Sequence, residues 1–224
     1  MTLTHIYETL FGAYGPQGWW PLLGVAGTNP TKTGAIRGYH VGDYSFPRND
    51  AERFEICAGA ILTQNTAWPN VERALRALAD RNVLSPQGVL SLAQPDLATL
   101  IRASGYFNAK ARKLREFAAF YTGLAGQVPT RAALLDVWGV GPETADSMLL
   151  YAYGQEEMVV DAYTRRILGH LRLVKPVADY DTVKRFCARR LPCDLVVYQE
   201  FHALLVEHAK RHYQRMPYAD PLLR

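Results

Sequence analysis

The sequence predicts an all-α fold, and three observations carry that reading. From Asp50 to the end, apolar residues recur at three- and four-residue intervals, the period of a helix with one buried face. Helix starts are punctuated: Ser85-Pro86 and Gln94-Pro95 each put a cap candidate before a proline at the first helical position. No stretch shows the period-two alternation of a hairpin.

Taken in order, a short first helix is expected over 5–14, with Ile6, Leu10 and Phe11 on one face. Gly15-Pro16-Gln17-Gly18 forms a turn and leads into the cluster Trp19-Trp20-Pro21. Residues 24–49 are rich in Gly, Thr, Asn and Pro with no clear period, and read as a long surface loop with at most a short strand or helix inside it. Asp50 is the cap candidate for a helix carrying Phe54, Ile56, Ala58, Ile61 and Leu62, and Pro69 begins another with Val71, Ala74, Leu75 and Leu78. After the two proline-marked helices, further ones are expected over 109–124, 130–137, 142–153, 162–171, 179–190 and 195–213.

With 224 residues, 49% of them hydrophobic and 21% charged, the chain can bury a sizeable core as one large domain or two small lobes. No apolar run approaches the roughly 20 residues of a membrane span. Met1 to Leu10 alternates polar and apolar residues without a basic start, so no signal peptide is expected and the cytoplasm is the expected location. The net charge of +4 suits a polyanionic partner but does not require one. Cys57, Cys187 and Cys193 are too few and too scattered for a disulfide framework, and two neighbouring thiolates do not make a four-ligand metal site; buried free thiols are expected for all three. The six histidines show no metal-ligand spacing, and His202 and His208, six apart on one helix, do not share a face.

The stretch from Leu134 to Asp146 is the most informative. Two apolar helical segments are joined by Gly139-Val140-Gly141. Each glycine can take a conformation that a Cβ would hinder, Val140 can tuck into the helix crossing, and Pro142 opens the second helix, which continues through Glu143 and Thr144. Free amides beside a helix N-terminus suit a DNA phosphate and need no base contact. A lone Gly-x-Gly would be an ordinary helix connection; in this setting the DNA reading is favoured. Twenty residues past Gly141, the apolar run Met158-Val159-Val160 ends in Asp161 at the start of a helix. The commonest role of such an Asp is a simple N-cap. A capping carboxylate at the mouth of an apolar cleft is also ionised and oriented, able to stabilise positive charge on a deoxyribose or to polarise an attacking water.

The hairpin followed by Val-Asp and a helix resembles the signature of the endonuclease III superfamily of DNA glycosylases. The segment 59–66, with Gln64 and Asn65, resembles the one that supplies a polar side chain to fill the gap left by a flipped base. The segment 105–111, with Tyr106, Phe107, Asn108 and Lys110, resembles the family's second wedge loop. The resemblance runs from about Trp19 to Lys210 with an insertion at 24–49. It implies a two-lobed helical fold, residues 1–66 and 155–224 forming one lobe and 67–154 the other, with double-stranded DNA carrying a damaged base across the cleft. It also implies a monovalent cation held by hairpin carbonyls and a monomeric protein bound to the nucleoid through DNA.

Two departures narrow the expected activity. Endonuclease III carries a lysine two residues after the second hairpin glycine, whose amine attacks the sugar; here that position is Glu143, which cannot form a Schiff base. The family's C-terminal cysteine tail is absent, so no iron-sulfur cluster is expected. Trp19, Trp20 and Pro21, with Trp68 after the Gln-Asn-Thr segment, resemble the base pocket of the endonuclease III-like 3-methyladenine DNA glycosylases, and Lys210 matches a pocket lysine of that branch that can be carbamylated. A π-rich slot favours a cationic alkylated purine, whose glycosidic bond is already weak. Plain core packing is the alternative for the tryptophans, and a solvated helix face for Lys210. Lys110, Arg112, Lys113, Arg165 and Arg166 could contact phosphates or simply face water. The expected activity is monofunctional release of alkylated purines such as 3-methyladenine. Mismatched uracil or thymine, an oxidised pyrimidine, or a DNA-binding protein without catalysis remain alternatives.

Overall fold

The computed structural model describes residues 1–30 and 37–223. Eleven α-helices are found among them: α1 (Leu3–Tyr14), α2 (Asp50–Leu62), α3 (Trp68–Asp80), α4 (Pro86–Ser91), α5 (Gln94–Leu100), α6 (Phe107–Gly123), α7 (Arg131–Leu135), α8 (Pro142–Ser147), α9 (Ala162–His170), α10 (Tyr180–Ala188) and α11 (Leu195–His212). Among the described residues there is no sheet, only one antiparallel bridge, Thr28 to Arg37, at the two ends of the part of the 24–49 segment that lies outside them. The all-α class is therefore what the structure shows.

Most helix starts follow the capping chemistry of the sequence. Thr2, Asn49, Ser85, Thr130, Asp161, Asp179 and Asp194 each accept a hydrogen bond from a backbone N–H two or three residues inside their helix. Two expected caps are corrected. Asn49, not Asp50, caps α2, through a bond from Glu52 N at 2.9 Å, and Asp50 lies in the first turn. Gln94 is already inside α5, whose cap is Ala93, with no side-chain bond. The helix after the hairpin also changes character: beyond Ser147 it widens into a π-turn over Met148–Ala152. Of the cysteines, Cys57 and Cys187 are buried but Cys193 is exposed, with its thiol beside Glu156 at 3.3 Å.

Helices α2 and α11 are enclosed on nearly all sides, as is the run Thr144 to Ala152. Residues Ile56 to Leu62 of α2 are buried without a break, as are Tyr198 to Ala209 of α11. Helix α2 packs on α3, α6, α8 and the π-turn; α11 packs on α1, α9 and the π-turn; α6 carries α4 and α5. The enclosure forces the polar residues of α11 to find partners. Glu200 accepts from Gln17 N (2.8 Å) and Tyr44 Oη (3.0 Å), which ties the chain before the 24–49 segment and the later part of that segment to this helix. His208 lies between Tyr14 Oη and Asp220 Oδ2, both at 2.9 Å, and so holds the C-terminal segment.

Behind the hairpin, Asp146 is fully buried in α8. It accepts from Arg131 Nε (2.7 Å), Tyr180 Oη (2.8 Å) and Lys184 Nζ (2.8 Å), drawing together α7, α8 and α10. Removing one member of such a pair strands the other charges in a poorly solvated place. Asp146→Ala is expected to lower the unfolding free energy by about 3 kcal/mol, read from the urea midpoint at pH 7; a loss below about 0.5 kcal/mol would show that water solvates the site well.

Candidate active site and DNA interface

The hairpin joins α7 to α8 through Gly139-Val140-Gly141. Gly139 has φ +88°, and a Cβ there would lie 2.4 Å from Lys113 Cγ. Gly141 is different: its φ is −96° and a Cβ would meet nothing within 4 Å. Of the two glycines, Gly139 alone takes a conformation that a Cβ would hinder. Val140 is buried at the crossing, and its N–H donates to Val137 O (3.0 Å), so this amide is not free for a phosphate. Gln64 braces the turn: its Nε2 donates to Gly139 O (3.1 Å) and to Thr144 Oγ1 (3.0 Å), while its Oε1 accepts from Lys113 Nζ. Trp138, before the turn, is exposed under the Arg112 guanidinium at 3.9 Å. The carbonyls of Val137, Gly139 and Gly141 each accept from an N–H donor. Among the described residues no group of three His, Cys, Asp or Glu side chains is placed to hold a metal ion.

Two left-handed residues mark the two expected wedge loops. Asn65 (φ +55°) is exposed at the end of α2, whereas its neighbour Gln64 is turned inward. Tyr106 (φ +45°) is 73% exposed just before α6, with Phe107 half-buried and Asn108 exposed behind it. Lys110 requires a correction. It is buried, and its ammonium donates to Leu62 O (2.8 Å) and Ser104 O (2.6 Å), so it braces the protein and does not face a phosphate. Burial, and secondarily Lys113, lowers its pKa to about 8. Arg165 and Arg166 likewise donate to main-chain carbonyls, of Ala178 (3.0 Å) and Tyr213 (2.9 Å).

Asp161 caps α9. Its Oδ1 accepts from Thr164 N at 2.7 Å, and its Oδ2 faces His202 Nε2 at 3.9 Å. Glu143 feels the charge of Asp161. It is open to solvent on one side, yet desolvation by the surrounding protein and then Asp161 push its carboxyl up to about 7, against the opposing charge of Arg165. Lys210 is half-buried; burial lowers its pKa, while Glu207 and Asp161 favour its charged form.

The aromatic residues are packed edge to face. Trp19, half-buried, meets His202 at 5.5 Å and 85°; Trp20 meets Trp68 at 5.4 Å and 80°, and Tyr151 at 5.3 Å. Trp20 is 5% exposed and its Nε1 has no protein partner. Trp20 is therefore a core side chain here, and Trp19 and Trp68 are the accessible ones. Pro21 and Trp68 also line a cavity of about 230 Å³ with Leu22, Gly38, Glu55 and Arg76. Sequence reasoning missed His202 and Tyr151. Their pairing, Tyr151 Oη to His202 Nδ1 at 2.8 Å, joins residues 51 apart, and no local pattern marks it.

The model of the HhH-GPD superfamily of base excision DNA repair proteins matches residues 58–193. The chain belongs to that superfamily. A Methanocaldococcus jannaschii protein with the provisional name of DNA repair glycosylase is 36% identical, covering 96% of this chain and 90% of its own. Endonuclease III of Thermotoga maritima is 29% identical over 74% of this chain and 78% of its own. Among solved structures, the 3-methyladenine DNA glycosylase of H. pylori bound to 1,N6-ethenoadenine superposes with a TM-score of 0.70 at 25% identity, covering 94% of this chain and 98% of that one. A trapped endonuclease III–DNA covalent intermediate superposes with a TM-score of 0.75 at 16% identity, covering 99% and 94%, and so shares the fold. This HhH-GPD protein is thus a base excision repair glycosylase, and DNA is its partner.

Two predictions follow from the geometry of this glycosylase's hairpin and acids. Gly139→Ala must strain a left-handed residue and displace Lys113, and is expected to cost about 1–3 kcal/mol of stability and to weaken duplex binding. Gly141→Ala should stay within about 0.5 kcal/mol of the parent. Equal losses in thermal melting and fluorescence anisotropy would refute the distinction. The second concerns Glu143. Because its folded carboxyl lies above the unfolded value, its contribution to stability is complete below about 4.5 and is lost as the pH rises through about 7. Glu143→Gln cannot ionise, so its Tm should match the parent near pH 4 and exceed it at pH 8; a pH-independent difference would contradict the raised carboxyl.

Proposed function

We propose that this protein is a monofunctional DNA glycosylase that releases alkylated purines from duplex DNA by attack of water on the sugar. The observation that carries the reading is the carboxylate of Glu143 at the hairpin position where a lyase would need an amine, beside a second carboxylate, Asp161. The likeness to a 3-methyladenine DNA glycosylase over nearly the whole of both chains supports the substrate class.

In this reading, residues 1–66 with 155–224 form one lobe and 67–154 the other, and the duplex crosses between them. The hairpin holds the backbone, and Asn65 and Tyr106 enter the stack as the damaged nucleotide turns out. Trp19 and Trp68 offer π-faces to the cationic base, with Lys210 at the side of the pocket. The cap fixes one oxygen of Asp161 and leaves Oδ2 for the reaction. As the C1′–N bond breaks, the purine departs with the bonding electrons and its positive charge is discharged. The Asp161 carboxylate stabilises the positive charge on the sugar and takes the proton of the water that bonds to C1′. No cofactor, iron-sulfur cluster or partner subunit is needed for these steps.

The test is base release from DNA treated with a methylating agent, beside a duplex carrying an oxidised pyrimidine, each with and without alkali. Methylated purines should be released, strands should break only after alkali, and borohydride should trap no covalent complex. Cleavage of the oxidised duplex alone, without alkali, would overturn both the substrate class and the role of Glu143. Asp161→Asn is expected to lower single-turnover release by about 100-fold or more while duplex affinity stays within about twofold.

A further inference from the structure

We propose that His202, held from behind by Tyr151, is a positioning residue for Asp161: its Nε2–H points at the carboxylate oxygen that the helix cap leaves uncommitted. This rests on Asp161 being the catalytic carboxylate. The two oxygens of Asp161 have separate surroundings, Oδ1 bound by Thr164 N and Oδ2 facing His202 Nε2 at 3.9 Å. The other ring nitrogen, Nδ1, lies 2.8 Å from Tyr151 Oη.

The proton assignment follows from the groups around the ring. Tyr151 has one hydroxyl proton and two acceptors in reach, His202 Nδ1 at 2.8 Å and Gln199 O at 3.1 Å. The Gln199 carbonyl belongs to α11, whose helical pattern already gives it the N–H four residues on. Two arrangements satisfy these contacts, Tyr151 donating to Gln199 O while Nδ1–H donates to Tyr151 Oη, or Tyr151 donating to Nδ1; the carboxylate facing Nε2 selects the second. A tautomer with its proton on Nε2 directs an N–H, not a lone pair, at Asp161, which is the favourable electrostatic arrangement. Burial disfavours the charged ring and lowers the His202 pKa, against the pull of Asp161. The same ring lies edge-on to Trp19. Asp161 and the half-buried Trp19 therefore share one neighbour. The 3.9 Å separation is long for a hydrogen bond, as contacts of this kind often are in an enzyme without its substrate.

Two amide variants separate this role from packing. An Asn amide at position 202 reaches roughly where Nδ1 lies and keeps the Tyr151 partner; a Gln amide reaches roughly where Nε2 lies and keeps the donor to Asp161. Single-turnover base release from a methylated duplex, affinity for the same duplex, and Tm would be measured for His202→Gln, His202→Asn and Tyr151→Phe, with Asp161→Asn as control. The expected order of rates is parent, then His202→Gln within about threefold, with Tyr151→Phe below it and His202→Asn at least tenfold down, all at unchanged duplex affinity. Rates that track Tm, or equal losses in the Gln and Asn variants, overturn the positioning role. If neither amide variant folds, Tyr151→Phe decides: an unchanged rate overturns the proposal. If Asp161→Asn itself keeps full turnover, the catalytic reading of Asp161 falls first, and that outcome is distinct from the others.

Discussion

One buried ammonium sets the geometry of two loops, the one after α2 and the one before α6. Lys110 reaches from the first turns of α6 to Leu62 O at the end of α2 and to Ser104 O before the Tyr106 turn. The chain beyond Leu62 runs into Gln64 and Asn65, and the chain beyond Ser104 runs into Gly105 and Tyr106. Segments about 40 residues apart in sequence are thereby fixed to the same point. A lysine suits this task because its three donors can satisfy main-chain carbonyls that a helix end leaves over. Burial makes its charge expensive, and carbonyl dipoles at hydrogen-bond distance offset that cost.

The next layer is built from Gln64. Once α2 ends where Lys110 holds it, the Gln64 amide spans from Lys113 on α6 to Gly139 and Thr144 on either side of the hairpin turn. The chain just past α2, α6 and the hairpin thus share hydrogen bonds directly. On the far side, α11 supplies the polar residues that hold the N-terminal segment through Glu200 and the C-terminal one through His208. Asp161 lies where α9 begins, against that same helix.

The helical class, the helix order and the Gly139 turn were legible in the sequence because they rest on local signals: apolar period, capping residues and prolines. Asp161 was legible for the same reason, since a cap after an apolar run is a local pattern. The misreadings share a cause. Lys110 looks like one cation among several on a basic helix face, and only the arrival of two carbonyls from elsewhere makes it a buried brace. Trp20 and Trp19 are adjacent in sequence, yet one is sealed in the core and the other is accessible, a difference set by Trp68 and Tyr151, which arrive from other elements. His202 is one of several polar residues on a buried helix, and its nearness to Asp161 comes from the packing of α9 on α11.

The charge cluster around Asp146 divides the hairpin into two electrostatic regimes. On its inner side, carboxylate and cations are shielded from mobile ions, so ordinary salt reaches them poorly. On its outer side, exposed groups face water and counterions, and any contact they make with a phosphate backbone weakens steeply as salt is added. Salt that loosens a protein from a polyanion therefore leaves the packing behind this turn in place.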